Sequence, residues 1–210
     1  MIYYNSVVHI RTILCDTPAP LVSQTILWYN FIENLIMAYV YHRVPKNMSG
    51  NVLYPINELK EKYPILFIAR LEHHGHQPRV LEGSIPKMGC FWEDVLHLTA
   101  IPPSKIAEEL QNYGYDLHLK YYEIDAGKLD PNKTVVYLNE PKETGTPTKV
   151  TDFIPFNPNK VEELAHVSED PMNFYKKNFP TSDEFLLNYK APYILYKGSL
   201  NVEGAKIIEV

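Results

Sequence analysis

The 210-residue chain has little glycine, nine residues in all, and only two cysteines, Cys15 and Cys90. It has no glycine-rich phosphate loop, no zinc-finger spacing and no Gly-x-Ser-x-Gly elbow, so the common nucleotide-hydrolase and serine-hydrolase signatures are missing. Two cysteines make no disulfide framework, and a reduced, cytoplasmic setting is the economical expectation. No run of lysine and arginine occurs, and the formal net charge is −5. Duplex nucleic acid, which is held by clustered cations that displace counterions, is therefore not an expected partner. Long apolar runs are also lacking. The best membrane candidate, residues 21–41, is interrupted by Gln24, Asn30, Glu33 and Asn34. One carboxylate in mid-span costs roughly 2.5–3.5 kcal/mol on insertion scales, so a soluble chain is expected. Neither internal repeats nor low-complexity tracts occur.

Seventeen prolines and sixteen tyrosines are what the chain has in excess, beside an ordinary hydrophobic share of 45%. That mixture predicts short elements joined by stiff loops, with many half-buried rings. The first 36 residues keep neither a helical nor a strand period cleanly, and Cys15-Asp16-Thr17-Pro18-Ala19-Pro20 breaks them. We expect the folded domain to open at Met37 and run to Val210. Residues 1–36 are then a weakly attached or helical extension, with a helix packed on the domain as the alternative.

Beyond Met37 the pattern alternates. "AYVYHRV" (38–44) is rich in β-branched and aromatic residues and reads as a strand. Asn57 can cap a short helix to Lys62, and Pro64 restarts another to about His74. "DVLHLTAI" (94–101) reads as a buried strand. "PPSKIAEELQNYG" (102–114) opens on proline, sets Ile106, Leu110 and Tyr113 on one face, and ends at a glycine. Two strands around a turn-rich link are expected in 117–139, an irregular excursion in 140–160, helices at 160–166 and 170–178, and two closing strands in "PYILYKGSLNVEGAKIIEV" (192–210). The fold class is α+β, a mainly antiparallel sheet with helices inserted between strands.

Several side chains could carry chemistry. His73, His74 and His76, with Glu72, could share a metal and support metal-dependent hydrolysis. Gly75 and Pro78 end the helix there, however, and histidines at a helix C-terminus are favoured by the dipole alone. The second reading is simpler, and no metal is expected. Cys90 could pair with His97 as a nucleophile, yet Phe91 and Trp92 beside it suggest a small buried hydrophobe. His97 and Thr99 lie two apart on one strand and share a face. Together with His42, near the end of the strand that opens the domain, they are the candidate catalytic residues if the two strands are neighbours. Two half-buried histidines bonded to backbone are the bland alternative. The tyrosines could stack on a base, present a partner surface in a non-catalytic interaction module, or simply fill the core.

The stretches "YHRVPKNMSGNVLYPINELK", "IPKMGCFWEDVLHLTAIPPSKI", "YYEIDAGKLDPNKTVVYL" and "PYILYKGSLNVEGAKIIEV" resemble the small bacterial proteins usually labelled group-specific proteins in Bacillus. That likeness spans about 37–210 and brings no activity with it. More distantly, the chain resembles ADP-ribosyltransferase-like folds. These begin with a strand bearing a Tyr-His pair, followed by a glycine and a leucine that close over a nicotinamide dinucleotide. Tyr41-His42 and Gly50 to Leu53 stand in that order. The resemblance implies NAD or another nucleotide as ligand, with Tyr41, His42, Gly50 and Tyr54 as binding residues: His42 on the ribose, Tyr54 on the nicotinamide ring. It also implies a glutamate just before the penultimate strand, where transfer chemistry would need it. Pro192 stands there instead, and Glu184 and Glu203 fall off the position.

Overall fold

The computed structural model describes residues 38–46, 49–68, 83–111, 118–139, 148–165 and 191–210, without the side chains of 109 and 110. The chain divides into two units, Met1–Ile36 and Met37–Val210, and the architecture below is that of the second. Residues 1–36, the histidine cluster at 73–76, Gly114 and the helix expected at 170–178 lie outside the described residues. The class is α+β. No helix among the described residues is long and apolar enough to cross a membrane.

The chain runs β1 (Tyr39–Arg43), β2 (Val52–Leu53), α1 (Ile56–Lys62), β3 (Ser84–Ile85), β4 (Cys90–Phe91), β5 (Val95–Leu98) and α2 (Pro103–Gln111). It continues through β6 (Lys120–Asp125), β7 (Thr134–Tyr137), β8 (Phe153–Pro155), β9 (Tyr193–Lys197), β10 (Leu200–Asn201) and β11 (Lys206–Glu209). Among the described residues every strand pairing is antiparallel. One sheet has the order β1-β6-β11 and the other β5-β9-β7-β8. Among the described residues one bridge, between Tyr41 and Thr99, joins them, Tyr41 N–H donating to Thr99 O at 2.7 Å and Thr99 N–H to Tyr41 O at 3.0 Å.

Strand alternation explains how the core is shared between the sheets. Val40, Tyr122 and Ile124 of the first and Leu96, Leu98, Val136, Ile194 and Tyr196 of the second enter one central cluster. Leu53 and Leu200, from the β2–β10 pair, join it. On the far side of the first sheet Tyr41, Tyr121 and Leu119 pack against Ile106 and Ala107 of α2. On the far side of the second, Val95, Val135 and Leu195 pack under Ile85 and Cys90 of the β3–β4 hairpin. The apolar periods at 38–44 and 94–101 thus mark strands buried on both faces.

Local signals decide the connections. Asp125 accepts from Gly127 N–H at 2.8 Å and Asp130 from Asn132 N–H at 2.9 Å, each opening a 3-10 turn. The two turns carry the chain from one sheet to the other, so β6 and β7 are neighbours in sequence but not in space. Two expectations are corrected. Asn57 does not cap α1: Pro55 stands at the N-cap, and the Asn57 amide instead donates to Asp94 of the turn Trp92–Asp94. The 140–160 excursion holds a strand, β8, at the rim of the larger sheet. Its Pro155 lacks an N–H, which a rim strand tolerates because that donor would face outward.

Candidate functional site

His42 sits near the end of β1, one residue past the bridge that joins the sheets. Alternation sends Val40 and His42 to one side of the strand and Tyr39, Tyr41 and Arg43 to the other. The imidazole is half-buried, and its Nδ1 lies 2.6 Å from the Arg43 carbonyl oxygen. A carbonyl has no proton to give, so the ring donates and Nδ1 carries the hydrogen. In the neutral ring this leaves the acceptor lone pair on Nε2. Backbone geometry thereby fixes the tautomer of His42.

Tyr41 turns the other way. Its ring is buried, and its hydroxyl donates to Glu123 Oε2 at 3.5 Å. Burial chiefly, then the Glu123 carboxylate, pushes the phenol up to about 12. Glu123 also meets Lys206 Nζ at 3.3 Å, so a cross-strand chain ties β1, β6 and β11 together behind His42. Adjacent in sequence, Tyr41 and His42 serve opposite faces.

The strands bearing His42 and His97 are neighbours, as the Tyr41–Thr99 bridge requires. Directly opposed residues share a face, so Thr99 lies on Tyr41's side and His97, two residues along, lies there too. His42 therefore points away from both. The His97 ring stacks on Trp92 with centroids 5.7 Å apart and planes 12° apart, and meets the edge of Tyr193 at 5.7 Å. Trp92 in turn meets Tyr137 edge-on at 5.2 Å. Burial raises the Tyr193 phenol to about 12. The Thr99 side chain is buried, and its Oγ1 accepts from Ile101 N–H at 3.1 Å, an arrangement that turns the chain out of β5. This aromatic cage was not read from the sequence. Trp92 five positions before His97 was the signal, but a 3-10 turn between them spoils any simple period.

Gly50 and Tyr54 belong to one local assembly. Gly50 has φ +86°, a conformation that L side chains rarely adopt, so glycine is required at this turn. The preceding Ser49 carbonyl accepts from the Tyr63 hydroxyl at 2.8 Å, and the Tyr63 ring lies 5.8 Å from that of Tyr54. Lys62 Nζ stands 4.9 Å from the Tyr54 ring centroid, a cation–π contact. Leu53, beside Tyr54, shares the central core with Val40, two residues before His42 on the same face. The turn, the tyrosine and the histidine strand are thus anchored on one core.

The other candidates have structural partners. Cys90 is buried, and burial, the largest cause, raises its thiol above the ordinary value. A raised thiol is a poor nucleophile at neutral pH, which fits a packing role. Asp94 accepts from Phe91 N–H at 2.7 Å as well as from Asn57, and so clamps α1 to the turn before β5. Among the described residues no group of three His, Cys, Asp or Glu side chains could hold a metal ion. His73, His74 and His76 lie outside those residues, as does Glu184. Pro192 occupies the position immediately before β9, and Glu203 lies beyond β10. A search of family models, of curated proteins and of solved structures finds no match to this chain.

Proposed function

We propose that the domain binds a nicotinamide dinucleotide or a closely related nucleotide beside His42, in the manner of ADP-ribosyltransferase-like folds, and that it binds without transferring. The observation that carries this reading is the locked imidazole. The Nδ1–H bond to Arg43 O orients the ring near the end of β1, and in that tautomer Nε2 is the atom that would accept from a ribose hydroxyl. The ring stands where β1 and β5 part after one bridging pair. Tyr54 supplies a flat surface for a base, and Lys62 a positive charge for phosphate near it. Proline rather than glutamate stands before β9, at the position where the resemblance places the carboxylate of the transferases. A cytoplasmic setting, where NAD is plentiful, goes with this reading.

Calorimetric titration with NAD tests the proposal. The wild type is expected to bind, and His42→Ala to bind at least tenfold more weakly while keeping its far-ultraviolet circular dichroism. No heat from the wild type, or equal binding by the folded variant, ends the reading. Incubation with labelled NAD separates binding from transfer, and no covalent label is expected on the protein.

A further inference from the structure

The β3–β4 hairpin lies across the outer face of the larger sheet. Ile85, wholly buried, and Cys90 share a cluster with Val95 of β5, Leu195 of β9, Val135 of β7 and Phe153 of β8, one residue from each strand of that sheet. The hairpin's own ladder is short: Ser84 pairs with Phe91, and Ile85 with Cys90. An isolated two-stranded hairpin is marginal at best in water, so packing and side-chain bonds keep this one down.

Its two ends are held by different means. The base is fixed to backbone. Asp94 accepts from Phe91 N–H at 2.7 Å through its carboxylate and from Gly198 N–H at 3.0 Å through its carbonyl, and Trp92 N–H donates to Gly83 O at 3.1 Å. The tip is fastened by two lysine side chains that reach in opposite directions. Lys87 Nζ, from the turn, donates to Phe153 O of β8 at 3.2 Å. Lys197 Nζ, from β9, donates to Met88 O of the turn, also at 3.2 Å. Strand β7 lies between β9 and β8, so the two fastenings span the sheet.

The turn is strained to make the first of them. Met88 N–H donates to Ile85 O at 3.3 Å and closes the chain over Pro86 and Lys87. Lys87 takes a φ of 72° at the position where a turn usually has glycine or asparagine. Gly89, two residues on, takes its φ of 57° without that penalty. A left-handed lysine persists only while its surroundings hold it, and lifting the turn would relax it.

We propose that the hairpin is a latched strap. It lifts as one unit about the turn Trp92–Asp94, which relieves Lys87 and admits solvent to Cys90 and to the apolar face beneath, and Lys87 and Lys197 set how often it does so. The strap is independent of the nucleotide reading.

Alkylation of Cys90 by iodoacetamide in the native full chain, followed by peptide mass spectrometry, tests it. The wild type is expected to react at a rate that stays flat in low urea, because a local opening exposes little surface. Lys87→Met and Lys197→Met are each expected to speed the reaction about fivefold, still flat in low urea and with circular dichroism unchanged. Burial raises the Cys90 thiol and Lys197 lowers it, so loss of the Lys197 charge alone would slow alkylation, and a faster reaction reports opening. Lys87→Gly cuts the same bond but relaxes the turn, and is expected to react more slowly than Lys87→Met. A wild-type rate that climbs with urea along the global unfolding transition overturns the proposal. So do methionine variants that leave the rate unchanged, or a glycine variant faster than Lys87→Met.

Discussion

His42 and His97 are both half-buried, both on strands joined at the same bridge, and both plausible as working side chains from their neighbours in sequence. Their surroundings differ entirely. His97 is stacked on Trp92 and edged by Tyr193, so aromatic surface holds its ring. His42 is tied at one nitrogen to the backbone of its own strand, which orients the ring and sets its tautomer. A histidine held by aromatic surface contributes stability. A directed backbone bond fixes a ring's orientation and tautomer. The comparison teaches that exposure alone does not separate the two, whereas the kind of partner does.

The largest effect should come from removing the surface under His97. Trp92→Ala deletes a ring that touches His97, Tyr137 and Phe153, and a loss of about 3–5 kcal/mol is expected in denaturant unfolding. Alkali attacks the same packing, always away from His42. Tyr41 and Tyr121 lie on the face opposite His42, Tyr193 lies beside His97, and all three phenols are raised from 10.0 to about 12, chiefly by burial. A folded-state value above the unfolded one favours the neutral form in the fold. Its contribution is complete below pH 10 and is lost as the pH rises through 10 towards 12. For Tyr121 and Tyr193 this amounts to about 2–3 kcal/mol each, to be read from unfolding midpoints across that window.

The paired histidine variants sharpen the contrast further. His97→Ala is expected to cost about 2 kcal/mol, through lost ring contacts, with NAD binding unchanged. His42→Ala is expected to cost about 1 kcal/mol, the value of one backbone bond, and to lose binding. Thermal unfolding and calorimetry on the same two preparations check both. Equal losses of stability with equal losses of binding would erase the distinction between the two sites.

Much of the fold was legible in the chain. The strands at 39–43 and 95–98 follow from β-branched and aromatic density, and α2 follows from an opening proline with Ile106 turned to the core. The division into two sheets was not legible. It depends on which strands pair within each sheet, and the join between the sheets on the pairing of Tyr41 with Thr99, 58 positions apart; local periodicity carries no information about such contacts. The same pairing decides that His42 and His97 face opposite ways, so the idea of one cleft lined by both could not be weighed before the register was known. The strand β8 escaped notice because three residues ending in proline give no period to count. The Asx turns at Asp125 and Asp130 were legible as turns, but not as the crossing between sheets.

The most direct test of the central claim is a nuclear magnetic resonance titration of the protein, with its histidine rings labelled with nitrogen-15, against NAD. The expected result is a protonated Nδ1 on His42 from the outset and a shift of its Nε2 signal that saturates with ligand, while the His97 signals stay still. An Nε2-protonated His42, or a spectrum in which His42 does not respond to NAD, would contradict the account.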